Sequence, residues 1–231
     1  FRELEPRLNG SKISKISFTG STMVGKEILA TAAKNVKTAT MELGGKSANI
    51  ILNDADLDSA VDGSLYAFLY HSGQACDSGT RLLVQEEIYP AFIEKFLERI
   101  KAVKVNPTSD PNAGYGPVVS EKQLKTIMGY IEKTKAEGAK LLAGGSQIKS
   151  GDFAKGFFIE PTAFEISPDN NIFHEEIFGP VVGITKFKTE DVAVSLANNS
   201  KYGLAGAVWS NDHNRAISLA KKLEAGTVWI N

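Results

Sequence analysis

The chain has 231 residues, 42% hydrophobic and 23% charged, with a formal net charge of -1. That length and composition suit a globular protein of one large domain or one and a half, and the balanced charge, without a basic cluster, leaves no electrostatic footprint for nucleic acid or anionic lipid. No apolar run approaches the ~18 residues of a membrane span, and a single cysteine excludes an internal disulfide and fits a reducing compartment, so the cytoplasm is the expected location.

In chain order, strand-like and helix-like patterns alternate. ISKISF (13–18) reads as a strand, and a helix follows from Thr22 to about Lys34. ATMEL and ANIIL (48–52) are short apolar strands. Asp54 to about Tyr70 reads as a helix whose first turn is crowded by Asp54, Asp56 and Asp58, where the helix dipole favours them. RLLVQ (81–85) is strand-like, and YPAFIEKFLERIKAV (89–103) is an amphipathic helix with Phe92, Phe96 and Ile100 on one face. PTSDPNAGYGP (107–117) reads as a long loop. A helix over 120–137 and the strand and turn KLLAGG follow. GFFIEPTAF, GPVVGITKF and LAGAVWS are further strands, with helices near 189–198 and 212–224 before the final TVWIN. This alternation predicts an α/β fold with a mainly parallel sheet flanked by helices. The chain opens on Phe1 and stops at Asn231 straight after an apolar strand-like run, so it is expected to be a piece of a longer polypeptide.

Three stretches carry candidate chemistry. In FTGSTMVGKE (18–27) a strand runs into Gly20, Ser21 and Thr22 and then into a helix, which places backbone N–H groups at a natural anion site. Capping of the helix by Ser21 or Thr22 is the plainer reading. Gly20 to Lys26 also fits GxxxxGK, but Glu27 stands where a P-loop needs the Mg²⁺-binding Ser or Thr, so nucleotide hydrolysis is the weaker alternative. In MELGGKS (41–47) a strand delivers Glu42 to Gly44 and Gly45, which allow a tight turn or a close backbone approach; Glu42 is placed either as a general base on water or as a solvent-facing turn residue. In HSGQACDSGTR (71–81), Cys76 stands between Gly73 and Gly79, with Arg81 adding positive charge nearby. Exposure and a nearby cation make a thiol reactive, whereas an isolated buried cysteine is inert. His71 invites a Cys–His dyad, but no protease signature surrounds either residue, and His71 reads as structural. His71, His174 and His213 are scattered without ligand spacing, so no metal site is expected.

FTGST, MELGGKS and GQAC with Arg81, followed by EEIFGPVV (175–182) and YGLAGAVWS (202–210), resemble in that order the NAD(P)-dependent aldehyde dehydrogenase superfamily, over essentially the whole chain. The resemblance implies an aldehyde dehydrogenase-like fold, with the end of a Rossmann-like cofactor domain over 1–42 and a thiol-bearing catalytic domain over 43–231. It implies oxidation of a small-molecule aldehyde to a carboxylic acid with NAD or NADP. Cys76 would form a thiohemiacetal and then a thioester, its backbone N–H would supply half of an oxyanion hole, and Glu42 would activate the hydrolytic water. Gly20, Ser21 and the helix start that follows would hold the dinucleotide pyrophosphate, with Val24 and Gly25 close by. Leu43 and Gly44 would lie against the nicotinamide, Glu176 would bond its ribose, and Phe178 would pack beside it, with Gln123 and Leu204 completing the cofactor contacts. Singly, Glu175 and Glu176 also read as a solvated pair and Phe178 as a core residue.

The family's oxyanion-hole asparagine and adenosine-side lysine would lie upstream of Phe1, and its oligomerisation strand downstream of Asn231. The chain by itself is therefore expected to be inactive or to serve only as a binding or assembly module. The full-length parent is expected to be a homodimer or homotetramer. Asp77, directly after the cysteine, is charged where the family more often has a small or uncharged residue, which favours a polar aldehyde.

Overall fold

The computed structural model describes residues 12–231, which separate into two compact units, 12–44 and 45–231. The first eleven residues of the segment expected to end a cofactor domain lie outside the described residues.

The first unit is a β-α-β element. Strand β1 (Lys15–Thr19) leads into helix α1 (Thr22–Lys34), and β2 (Thr38–Glu42) pairs parallel to β1 in the register Thr19 to Glu42. Ile16, Ile28 and Ala32 form its small core, with Phe18, Val24 and Met41 packed against it. Ser21 caps the helix by accepting from the Val24 amide at 3.4 Å.

The second unit is built on β3 (Ala48–Ile51), α2 (Leu57–Leu69), β4 (Arg81–Gln85), α3 (Tyr89–Ala102), α4 (Glu121–Ala136) and β5 (Lys140–Ala143). β6 (Thr162–Glu165), the short α5 (Asn171–His174), β7 (Val181–Phe187), α6 (Glu190–Asn198), β8 (Ala205–Trp209), α7 (His213–Ala220) and β9 (Thr227–Ile230) follow. The sheet order is β5-β6-β7-β4-β3-β8-β9, parallel throughout except for β5 against β6. Alternation along the strands divides the core into two layers, as expected where helices cover both faces. Ile50, Leu83, Val181 and Val208 face α4, α6 and α7, whereas Ile51, Leu82, Val84 and Val182 face α2 and α3. Phe92, Phe96 and Ile100 are the buried face of α3, as the periodicity predicts.

Three expectations are corrected. Helix α2 begins at Leu57 with Asp56 as its cap, so only Asp58 lies in its first turn. Asp54 stands outside it, accepting from the Ser210 hydroxyl (2.7 Å) and the Asp212 amide (3.0 Å) and pairing with Arg215 (2.7 Å). GFFIEPTAF is not one strand: Pro161 has no N–H to donate, and the regular ladder begins only at Thr162, Ile159 making an isolated bridge to Gln147. Helix α7 stops at Ala220, short of 224.

Candidate active site

In the first unit the parallel pairing brings the two motif loops side by side. The Gly20 amide donates to the Glu42 carbonyl at 3.0 Å, so the start of α1 and the end of β2 share the carboxyl edge of the pair. That edge of parallel strands, at a helix N-terminus, is where anionic ligands bind in open α/β sheets. Gly20 and Ser21 lie in the turn, and the Thr22 hydroxyl is buried without a partner at the first helical position. Glu42 is exposed at the last position of β2. Gly25 is buried and faces the Leu43 side chain. Val24 packs on the unit's core, so the structure assigns its side chain to packing.

In the second unit four sequence-distant residues gather at the amino ends of the strands. Gly45 lies three residues before β3, Cys76 five before β4, Glu176 five before β7 and Leu204 one before β8. Gly45 is the meeting point. Its amide donates to the Glu176 carboxylate (3.2 Å), and a Cβ placed there would stand 2.3 Å from the Cys76 carbonyl oxygen and 3.3 Å from Leu204. Only glycine fits, which gives the close backbone approach read from the sequence its partner. Burial pushes the Glu176 carboxyl above the usual carboxylate range, against the Gly45 amide and the charges of Lys46 and Lys201. Glu175 turns away to pair with Lys201 at 2.8 Å, so the two glutamates are not one solvated pair.

Cys76 is exposed. The chain reaches it through a run of left-handed residues, His71 (φ 50°), Ser72 (φ 61°) and Gly73 (φ 72°), directly after α2. Such backbone is uncommon outside glycine and persists only when its surroundings fix it. Here the Ser72 hydroxyl donates to the Gly116 carbonyl (3.0 Å), the Gln74 side chain spans the His71 carbonyl and the Val119 amide, and Gly73 packs on the Gly179–Pro180 backbone. The space at Gly73 therefore seats the 175–182 segment. Phe178 is also left-handed (φ 57°) and 39% exposed, so it is not a core residue; the Gln123 amide donates to the carbonyls of Ile177 (3.0 Å) and Phe178 (2.8 Å). The structure thus places Gln123 as a brace for the Phe178 turn.

Arg81 is tied to backbone carbonyls. It is buried, and its guanidinium donates to the carbonyls of Lys46, Leu196 and Ala197, the last two at the C-terminal end of α6, where a cation is favoured. Three features escape sequence reading: buried Lys46 and the hydroxyls of Ser47 and Ser78, both buried without a partner. Flanking apolar runs are the only signal in the sequence for any of them. Among the described residues no cluster of His, Cys, Asp or Glu is arranged to hold a metal ion, and no helix is long and apolar enough to cross a membrane.

These features define a doubly covered, parallel-rich α/β protein that presents a lone thiol at the amino edge of its sheet. The sequence model of the aldehyde dehydrogenase family matches residues 6–231, and the chain belongs to that family. Among solved structures it is similar to an aldehyde dehydrogenase from Bacillus cereus in complex with NAD+ (41% identity, TM-score 0.92, 96% of this chain and 45% of that one). It is similar also to betaine aldehyde dehydrogenase from Staphylococcus aureus in complex with NAD+ (43%, 0.93, 96% and 44%) and to HpcC from Thermus thermophilus (37%, 0.94, 98% and 45%). The fold is the aldehyde dehydrogenase fold, and the chain spans less than half the length of these relatives.

Proposed function

We propose that this chain carries the thiol and the base of an NAD- or NADP-dependent oxidation of a small-molecule aldehyde to a carboxylic acid. The observation that carries the reading is the convergence on Gly45: three motifs far apart in the sequence meet around one glycine next to an exposed thiol. Cys76 is the nucleophile, its thiolate adding to the aldehyde carbonyl while its backbone N–H donates to the developing oxyanion. A bound nicotinamide would supply the two-electron, hydride-level oxidation that takes the aldehyde carbon to a thioester on Cys76. Glu42 takes a proton from the water that hydrolyses the thioester.

The residues present fit a dinucleotide. Gly20 and Ser21 precede a helix whose first amides have no intrahelical acceptor, the unpartnered Thr22 hydroxyl lies in the same turn, and Gly25, Leu43 and Gly44 flank it. On this reading Glu176 would accept from a ribose hydroxyl, Phe178 would pack beside the ribose, and Leu204 would border the same site. Residues 1–42 are then the end of the cofactor domain and 43–231 the catalytic domain. We assign the protein to the cytoplasm and its parent to a homodimer or homotetramer on the sequence reading alone. On this reading the chain, which spans less than half the length of its relatives, is by itself a poor dehydrogenase.

The test uses the full-length enzyme carrying this chain with Glu42→Gln. Acylation continues while deacylation slows, so a burst of about one NADH per active site precedes slow turnover. Equal slowing of burst and steady state would assign Glu42 to structure or to thiol activation instead.

A further inference from the structure

On either side of Cys76 in sequence, Ala75 and Asp77 line a cavity of about 350 Å³, within the roughly 300–1,000 Å³ range of small-molecule sites. Its lining combines three kinds of group. Ser47 and Ser78, only 4% and 8% exposed, bring hydroxyls that are buried and have no partner. An unmatched buried hydroxyl is unfavourable and is relieved by a ligand that brings hydrogen-bonding groups to it. Tyr66, Tyr70 and Trp229 supply large, exposed aromatic surfaces, and the Tyr66 and Tyr70 rings stand 5.3 Å apart. Asp77 supplies a carboxylate that is exposed and, among the described residues, has no ion-pair partner. No lysine, arginine or histidine lines the cavity.

A carboxylate, aromatic faces and hydroxyl oxygens together suit a cation with N–H donors and oppose an anion. An ammonium group brings three N–H donors, and the Asp77 carboxylate is the charged acceptor of this lining. We propose that this cavity takes the ammonium end of an amino aldehyde whose carbonyl reacts at Cys76. The proposal rests on the reading of Cys76 as the nucleophile and adds the substrate class. Aldehydes that carry a carboxylate are disfavoured by Asp77.

The test needs no dehydrogenase turnover, because Cys76 is the only cysteine in the chain. Methanethiosulfonate reagents transfer a chosen tail to it: the thiolate attacks the divalent sulfur, a mixed disulfide forms, and methanesulfinate leaves with the electron pair of the broken S–S bond. Labelling rates at one fixed pH are measured with 2-aminoethyl, 2-(trimethylammonium)ethyl, 2-sulfonatoethyl and methyl reagents. Each is divided by its rate with a free small thiol. The aminoethyl reagent is expected to exceed the sulfonatoethyl reagent by roughly 10-fold at low salt, and Asp77→Asn to bring the two within about twofold. Replacing Ser47 and Ser78 by alanine should narrow the gap between the aminoethyl and trimethylammonium reagents, which share a charge but differ in N–H donors. Should that variant fail to fold, the exposed Asp77 variant still decides. Equal normalised rates in the wild type, or a preference unchanged in Asp77→Asn, would overturn the proposal and leave Cys76 as a nucleophile. No labelling by the neutral methyl reagent would remove the nucleophile reading and the proposal with it.

Discussion

Lys46 follows Gly45 directly, and burial pushes its ammonium down from 10.5 to about 7, with Arg81 adding to the drop and Glu176 and Glu175 opposing it. A lysine with that folded value carries a proton in the unfolded chain between about 7 and 10.5 that the folded chain has lost. Stability therefore rises with pH across that window as far as Lys46 determines it, and below about 7 the cost of its buried charge is constant. Lys46→Met, close in shape, should flatten the rise, read as urea midpoints of both proteins between pH 7 and 10; parallel profiles would show that the ammonium is solvated. Nothing in ELGGKS signals this burial, because lysine is ordinarily exposed and only the folded context encloses it. The motif around Cys76 was readable, since four other motifs in fixed order surround it in the chain. The place of Arg81 was not, because the carbonyls it serves, at Leu196 and Ala197, lie more than a hundred residues away.

At the scale of elements, the turn between α2 and Cys76 sets where the thiol stands. Gly73 combines φ 72° with a backbone contact that places a Cβ 2.2 Å from Gly179. Gly73→Ala should destabilise the chain by about 2–4 kcal/mol and change the rate at which Cys76 is alkylated. Gly129, inside α4 with open space where a Cβ would stand, is the control. Gly129→Ala should stabilise by about 0.5–1 kcal/mol and leave the alkylation rate alone. Denaturant midpoints check both, and a neutral Gly73→Ala would mean that the turn can relax. Most elements were legible from periodicity and capping: α4 begins after Ser120, whose hydroxyl accepts from the Gln123 amide, and α1 after Ser21. The left-handed run through His71 and Ser72 was not, because neither residue type marks such a turn. Bonds from Gly116 and Val119, more than forty residues on, hold it.

For the whole chain, the alternation of strands and helices was enough to predict a parallel-rich α/β fold, because strands buried on both faces read as short apolar runs. Strand order was out of reach, and so was the antiparallel β5, which follows α4 much as a parallel strand follows a crossover helix. The general rule for open sheets points to the carboxyl ends of strands. It serves the first unit, where Gly20 and Glu42 meet at that edge, but not the second, where Gly45, Cys76, Glu176 and Leu204 all precede their strands. In the proposed reaction, aldehyde carbon becomes covalently bound to Cys76 on its way to the acid. The most direct measurement is the mass of the Glu42→Gln full-length enzyme, quenched during turnover with aldehyde and NAD+ and mapped by peptide. An added acyl group is expected on the peptide containing Cys76, at about one per active site and absent when NAD+ is left out. An NADH burst with no acyl group on that peptide, or undiminished turnover in Cys76→Ala, would contradict the proposed reaction.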